Sequence, residues 1–195
     1  MKKIITISRE FGAGGGEIGA KVAEALNWEY YHKELILRAA ADSNIDVSNL
    51  LKWDEKVPVS FGFTQSLFDF YSRPMSEQVF EAQKKVIMEI GQKGKCVITG
   101  RNANMILKEF DGCLNIFVHA DFDWRLRRMK EKMPDFTEEQ VAAEINAIDK
   151  KRRKYCTFFT KTEFGHSDFY DICLDTSRLG IDTCVDIITH VASKE

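Results

Sequence analysis

Short apolar runs alternate along the chain with longer stretches in which apolar residues recur every three or four positions. Helical spacing follows the first run, at Ile18, Val22 and Leu26, and returns near the end of the chain at 183–192. Strands that alternate with helices require right-handed crossovers and favour a parallel sheet. The pattern therefore predicts an α/β protein with a mostly parallel sheet flanked by helices. The runs that we interpret as buried strands are 3–8, 96–101, 113–120 and 170–177.

Two stretches interrupt this alternation. The segment at about 31–94 is too long for a loop and too apolar to be disordered, so we expect a mostly helical insertion. A second insertion begins at Thr137, where the sequence TEEQ has the pattern of a capping box, and continues as a helix into KKRRKY. Both insertions are expected to pack on one sheet core within a single domain.

Composition limits the classes of function. A chain of 195 residues with 44% hydrophobic and 30% charged residues can bury one substantial core. Its 28 basic and 30 acidic residues give no overall field that would attract nucleic acid or an anionic membrane. Five cysteines without a CxxC pair are interpreted as buried free thiols in a reducing compartment. No apolar run approaches the length of a membrane span, and no signal peptide is recognisable, so we expect a cytoplasmic protein.

The glycine-rich stretch at 8–21, SREFGAGGGEIGAK, directly follows the first predicted strand. Glycines between a strand and a helix typically surround a phosphate with backbone N–H groups. A phosphate-binding loop of the form GxxxxGK[ST] also supplies a lysine and a hydroxyl, where this chain has Gly15 and Gly16. GGGEIG formally matches the dinucleotide motif GxGxxG, but three residues separate the strand from the first glycine, which suits a phosphate loop better. A glycine-rich turn that only packs the helix on the strand is the third interpretation.

The whole chain resembles the cytidylate kinases, and more closely the cytidylate kinase-like family of bacterial proteins. The resemblance lies in five stretches whose order and spacing match: ITISREFGAGGGEIG, YYHKELI, CVITGRNANMIL, IDKKRRKY and YDICLDTSRLG. It implies a three-layer P-loop nucleoside monophosphate kinase fold in a single domain, 1–195. The core would comprise 1–30, 95–125 and 170–195, with a helical substrate-binding insertion at about 31–94 and a lid at about 130–165.

The resemblance also assigns residues to sites. Arg38 would bind the acceptor nucleotide together with the pair Gly100 and Arg101, and the lid arginines Arg152 and Arg153 would reach the transferring phosphoryl group. Arginines suit this chemistry, because phosphoryl transfer needs cations that hold two anionic substrates in line. The phosphate loop for ATP would comprise Gly12, Ala13, Gly14, Gly15, Gly16 and Glu17, and the residues associated with the lid would be Arg125, Arg128 and Asp149.

Departures from the family pattern fall on the chemistry rather than on the fold. Gly15 and Gly16 replace the lysine and the hydroxyl, and Thr99 stands where cytidylate kinases have an acid before the Gly-Arg pair. Arg9 or Lys21 could supply the missing cation, although the sequence places neither. Glu17 favours the helix dipole but would repel an anion if it faced the loop. Losing one charge-assisted donor typically lowers a rate roughly 10²-fold or more.

The sequence therefore predicts an ATP-dependent nucleoside monophosphate kinase with CMP or dCMP as the favoured acceptor and ATP bound as its Mg²⁺ complex. A catalytically weak or inactive nucleotide-binding protein with a kinase fold is the alternative, and a Rossmann-type dinucleotide protein is the third candidate. The expected partners are small nucleotides, without nucleic acid or membrane. The sequence leaves the oligomeric state open.

Overall fold

The computed structural model of the protein describes residues 3–32 and 75–194. Within these residues the strands form one five-stranded sheet whose neighbours all pair in parallel, in the order β2-β3-β1-β4-β5. The predicted α/β class and parallel sheet are confirmed. The strands are β1 (Ile4–Arg9), β2 (Glu29–Tyr31), β3 (Cys96–Thr99), β4 (Cys113–His119) and β5 (Ile172–Asp175).

Helices cover both faces of the sheet. The helix expected after the first strand and the terminal helix are both present, the latter beginning two residues earlier than the pattern indicated. A 3-10 turn at Ser167–Phe169 precedes β5. The helices are α1 (Gly15–Leu26), α2 (Met75–Lys93), α3 (Ala103–Ile106), α4 (Phe122–Lys132), α5 (Glu138–Thr160), α6 (Thr176–Leu179) and α7 (Ile181–Ser193).

The central strand β1 divides the apolar core into two halves. Ile5 and Ile7 are fully buried on the face covered by α1 and α7, while Ile4 packs with Ile98 on the face covered by α2 and α3. Side chains alternate between the faces because a strand has a period of two residues. Full burial of each isoleucine contributes roughly 1.5–3 kcal/mol. Helix, sheet and helix thus form the three layers expected.

Strand β2 was not predicted from the sequence. It has only three residues, of which Glu29 is exposed and Tyr30 and Tyr31 are partly buried, and it lies at the edge of the sheet beside β3. Its place settles a question of fold, because β1 pairs with β3 and β4 rather than with β2. The dinucleotide fold places β1 beside β2. The Rossmann-type alternative is therefore wrong.

Helices α4 and α5 pack against each other, and α5 lies within the region predicted as a lid, about 130–165, while α4 leads into it. Thr137 caps α5 as expected, accepting a hydrogen bond from the Gln140 amide while the Gln140 side chain accepts one from the Thr137 amide. The other end of α5 packs on α2, where the Phe80 ring stacks on Phe159 with centroids 4.2 Å apart. Helix α2 is the part of the first insertion that the structure describes, and it is helical as predicted.

The cysteines depart from the expectation at one position. All five are free thiols, and four are buried, with burial raising the pKa of Cys96 to about 12. Cys173 is exposed, because β5 is an edge strand that turns the neighbouring Leu174 into the core instead. No helix in the described ranges, 3–32 and 75–194, has the length and apolar character needed to cross a membrane.

Candidate functional site

The glycine-rich loop connects the end of the central strand to α1, at the carboxyl edge of the sheet. Gly12 and Gly14 have φ of 84° and 85°, a left-handed conformation that favours glycine. The first helical hydrogen bond runs from the Ile18 amide to the Gly14 carbonyl at 2.9 Å, and no side chain caps the helix. The amides of residues 15–17 therefore precede the helical ladder. Such amides, together with the helix dipole, form an anion-binding site.

A cavity of about 300 Å³ opens at this loop. Four cationic and two acidic side chains line it, which gives it a net charge of +2 in a chain whose overall net charge is −2. The cavity is therefore suited to an anion. Its lining residues are Arg9, Glu10, Phe11, Gly12, Gly14, Gly15, Gly16, Glu17, Arg128, Met129, Lys132 and Arg152.

Two neighbouring elements hold the backbone of the loop. The buried hydroxyl of Thr176, the first residue of α6, shares its single proton between the carbonyls of Ala13 at 2.9 Å and His119 at 3.2 Å. The Arg152 guanidinium on α5 donates to the Arg9 carbonyl at 2.8 Å. The loop is thus fixed from the sheet and from the lid region, which lowers the cost of ordering it around a ligand.

A buried ion pair joins α4 and α5 to the start of the loop. Arg125 on α4 and Asp149 on α5 lie 2.6 Å apart, with side chains 8% and 4% exposed. The second oxygen of Asp149 accepts a hydrogen bond from the Phe11 amide at 2.7 Å, and Arg125 donates to the Phe11 carbonyl at 3.1 Å. Glu10 lies 3.6 Å from the same guanidinium. Arg125 and Asp149, both expected near the lid, are therefore anchors of the loop.

Glu17 does not leave an uncompensated negative charge at the cavity. Arg128 donates a hydrogen bond to its carboxylate at 2.6 Å, and Lys21 lies 3.5 Å away on the next turn of α1. The hydrogen bond from Arg128 is the main reason that the pKa of Glu17 is lowered. Lys21 is also paired with Asp182 at 2.7 Å. The repulsion anticipated from the sequence is thus largely compensated.

Gly15 occupies the position of the lysine in a P-loop, and the space beside it is filled. A Cβ at this residue would lie 2.6 Å from Cβ and 2.9 Å from Cγ of Arg9. The guanidinium of Arg9 continues across the sheet edge to Gly100, where its Nη1 overlaps the position that a Cβ would take. Gly16 differs, because a Cβ there would meet only the Tyr30 hydroxyl, at 3.9 Å.

Thr99, which replaces the acid of the cytidylate kinases, belongs to a hydrogen-bonded chain behind the loop. Its buried hydroxyl donates to the Tyr30 hydroxyl at 3.3 Å, and Tyr30 donates to the Gly16 carbonyl at 3.0 Å. Gly19 lies against the same pair, where a Cβ would be 2.8 Å from Thr99 and from Tyr30. The third strand thus supports the loop through neutral hydroxyls.

The Gly-Arg pair forms a sharp turn at the end of β3. Gly100, Arg101 and Asn102 all have positive φ, at 85°, 59° and 54°. Two successive non-glycine residues in this conformation store strain, a feature that clusters at functional sites. Arg101 is 5% exposed, so its side chain is turned into the protein. Its predicted role at the acceptor phosphate stays a prediction, and Arg38, its expected partner, lies outside the described residues.

Other side chains at the cavity were missed by the sequence analysis. Lys132 is one turn beyond Arg128 on α4, and this spacing of four residues could have identified it. Phe11 carries the Arg152 guanidinium above its ring at 5.9 Å. Arg153, by contrast, is exposed and does not line the cavity, so of the two lid arginines only Arg152 reaches the loop.

A second cavity, of about 460 Å³, lies beside the start of α4 and the end of β5. Trp124 and Arg127 line it together with Ser177, whose hydroxyl accepts a hydrogen bond from the Asp121 amide at 3.2 Å. Ser177 also donates to Asp175, which lowers the pKa of that carboxyl. The lining of this cavity thus combines aromatic rings, one cation and the two aspartates Asp121 and Asp123.

The positions that hold Mg²⁺ in a P-loop kinase carry no hydroxyl directed at the cavity in this chain. Gly16 has no hydroxyl, and the hydroxyl of Thr99 is buried and directed at Tyr30. The described part of the chain contains no group of three His, Cys, Asp or Glu side chains placed to hold a metal ion. These residues therefore do not form a resident metal site. In nucleotide-dependent enzymes Mg²⁺ is commonly held by substrate phosphates and water rather than by a dedicated protein site.

Comparison with known proteins agrees with this geometry. The model of the cytidylate kinase-like family matches residues 4–178. No curated protein matches the sequence. An uncharacterized protein from Eubacterium ventriosum is similar in structure, with a TM-score of 0.77 and 26% identity over 100% of both chains.

More distant structures share the fold alone. A shikimate kinase from Bacteroides thetaiotaomicron has a TM-score of 0.53 at 13% identity, over 98% of this chain and 99% of that one. The YorR protein of Bacillus subtilis, solved with phosphorylated GDP, has a TM-score of 0.52 at 11% identity, over 96% of this chain and 94% of that one. The chain thus has the fold of the P-loop kinases.

Proposed function

The protein belongs to the cytidylate kinase-like family, and on this premise we propose that it transfers a phosphoryl group from Mg-ATP to a nucleoside monophosphate, with CMP or dCMP first among the acceptors. The observation that supports this proposal most is the cationic cavity at the glycine loop. There the N-terminus of α1 lies at the same cavity as Arg152, Arg128 and Lys132. This arrangement suits the polyphosphate of a nucleotide.

The proposed mechanism relies on positioning and charge. The amides of residues 15–17 would bind the β-phosphate of ATP, whose Mg²⁺ neutralises part of the triphosphate charge. Arg152, held at the loop by its bond to the Arg9 carbonyl, would stabilise the charge on the transferring group. Arg101 and Gly100 would position the acceptor phosphate at the neighbouring strand end, with Arg38 as the further acceptor residue. The acceptor oxygen attacks the γ-phosphorus and ADP leaves, so no protein-bound intermediate is needed.

A protein that binds nucleotides without turnover is the alternative, and specific observations favour it. Neither a lysine at position 15 nor a hydroxyl at position 16 is present, and Thr99 is bound to Tyr30 rather than offered to the cavity. The two candidates share the binding site and differ only in rate. They are therefore separated by turnover and not by binding.

Phosphorus NMR tests the proposal directly. The protein at high concentration is incubated with Mg-ATP and one of CMP, dCMP, UMP, AMP or no acceptor. We expect new diphosphate signals with CMP or dCMP that are absent without acceptor. Binding of ATP without transfer to any acceptor would support the alternative, and absence of ATP binding would contradict both.

The acceptor assignment has its own test. Arg101→Gln removes the charge but retains a long polar side chain, and we expect the KM for the acceptor to rise at least about tenfold while the KM for ATP stays unchanged. Lys3→Gln is the control, because it removes one exposed charge at the opposite end of the sheet. Equal acceptor KM values in the two variants would contradict a role of Arg101 at the acceptor.

A further inference from the structure

Five cations besides Arg9 lie at or near the loop, namely Lys21, Arg125, Arg128, Lys132 and Arg152. Arg128 is paired with Glu17 at 2.6 Å, and Lys21 with Asp182 at 2.7 Å. Arg125 is buried in its pair with Asp149, while Arg152 donates to the backbone of β1. The three atoms nearest to the position of a Cβ at residue 15 belong to none of these side chains.

The stem of Arg9 lies at that position instead. Its Cβ and Cγ lie within 3 Å of where a Cβ of residue 15 would be, and its guanidinium lies on Gly100. The side chain therefore extends from the phosphate loop to the strand end that carries Arg101. It crosses the gap across which a donor and an acceptor phosphate would face each other.

Strand register makes this position a fixed property of the fold. Ile7 pairs with Thr99, and the Gly100 amide donates to the Ile7 carbonyl at 3.0 Å, so the end of β3 is held beside the end of β1. Arg9 follows Ile7 by two residues and shares its face of the sheet, the one covered by α1. Glycine at both positions 15 and 100 leaves room for the long side chain to lie flat along this edge.

We propose that Arg9 is the cation that replaces the P-loop lysine, and that its guanidinium binds the β- and γ-phosphates of the nucleotide from the strand side of the loop. The inference rests on the proposed function and deepens it by assigning the missing charge. A guanidinium is suited to this place because its fork binds phosphate oxygens in pairs and stays charged at every physiological pH. The positive charge that a lysine at position 15 would supply then comes from Arg9, the last residue of β1.

The first test compares binding of Mg-ATP and of inorganic tripolyphosphate by calorimetry. Arg9→Gln is expected to weaken both at least about tenfold, the effect of one lost charge-assisted hydrogen bond. Arg9→Lys should lie between Arg9→Gln and wild type, because it keeps the charge but not the fork. Lys3→Gln, on the residue that precedes the same strand, removes an equal charge and should bind within about twofold of wild type. Thermal unfolding of each variant verifies that it is folded.

The second test moves the positive charge from position 9 to position 15. Gly15→Lys alone should lose stability, because its Cβ meets the Arg9 stem at 2.6 Å. Arg9→Ala would retain the offending Cβ, so the space must be opened with Arg9→Gly. The double variant Arg9→Gly/Gly15→Lys is expected to regain at least tenfold of the tripolyphosphate affinity that Arg9→Gly alone has lost.

The outcomes separate the two proposals. The role of Arg9 would be overturned if Arg9→Gln bound ATP as tightly as wild type, or if the double variant bound tripolyphosphate no better than Arg9→Gly. Either result would leave the kinase proposal standing. A wild-type protein that binds neither ATP nor tripolyphosphate would overturn both. Weakened binding in Arg9→Gln with recovery in the double variant would establish that positions 9 and 15 serve one phosphate.

Discussion

Removal of the Asp149 carboxylate tests whether the lid helix and the phosphate loop are one structural unit. In Asp149→Ala the Phe11 amide loses an acceptor at 2.7 Å and the Arg125 guanidinium loses its partner at 2.6 Å. Arg125 retains the Phe11 carbonyl and Glu10, the latter at 3.6 Å, as its remaining neighbours. The variant thus leaves the Phe11 amide without its acceptor and the buried Arg125 with only its weaker partners.

The expected loss of folding stability in Asp149→Ala follows from these two lost interactions. An unsatisfied buried amide costs roughly 1–3 kcal/mol, and breaking a buried ion pair by removing one partner costs about 3–5 kcal/mol in total. In a chain of this size each kcal/mol lowers Tm by roughly 2–4 °C, so we expect a decrease of roughly 6–20 °C. Asp149→Asn retains an acceptor for the Phe11 amide and should lose about half as much.

Urea unfolding at neutral pH and thermal scans measure the effect. Asp186→Ala is the matched control, since Asp186 is an exposed aspartate in the middle of α7 and should change stability by less than about 0.5 kcal/mol. A double-mutant cycle with Arg125→Ala should give a coupling of roughly 0.5–3 kcal/mol between the two side chains. Asp149→Ala as stable as the control, or additive with Arg125→Ala, would refute the reasoning.

Three further predictions concern the loop and its supports. Gly19→Ala should cost roughly 1–3 kcal/mol in urea unfolding, because its Cβ would overlap buried atoms at 2.8 Å, whereas Gly16→Ala on the same helix should cost nothing; equal stabilities would contradict the packing described. Thr176→Val should cost roughly 1–3 kcal/mol through two backbone carbonyls that lose their donor, against a smaller loss for Thr189→Val, whose hydroxyl bonds only within its own helix; the reverse order would disprove it. Glu17 has a pKa lowered below 4.5 in the folded state, so its ion pair stabilises the fold at neutral pH and this contribution is lost as pH falls through the folded pKa. The stability difference between wild type and Glu17→Gln should therefore shrink below pH 4.5, and a difference that grows there would refute the assignment.

The sequence predicts the sheet and the glycine loop because both depend on local patterns. Apolar β-branched runs predicted β1, β3 and β4 within a few residues, and the capping box at Thr137 gave the start of α5. Strand β2 was not predicted, because three residues that include an exposed glutamate show no hydrophobic periodicity in the sequence. Cys173 was misjudged because sequence does not distinguish an edge strand from a central one.

The sequence predicted which residues lie at the candidate site better than it predicted the contacts between them. Gly12, Gly14 to Glu17, Arg128 and Arg152 do lie at one cavity, whereas Ala13 is buried behind it. The burial of Arg125 against Asp149 could not be predicted, because it depends on how α4 and α5 pack and the two residues are 24 positions apart in the chain. The path of Arg9 depends on the register between β1 and β3, which no local pattern reveals. The roles of Arg38, Arg101 and Arg153 stay predictions.

The shared volume beside Gly15 has a consequence for how this sequence could change over evolutionary time. A substitution that placed lysine at position 15 would meet the Arg9 stem still in place, at 2.6 Å from the new Cβ. Losing the arginine first would leave the space with neither side chain. Lysine at position 15 therefore requires a change at position 9 as well, so the two positions are expected to change together. Although the missing lysine resembles a degenerate P-loop motif, glycine at position 15 is the residue that leaves room for the side chain of Arg9.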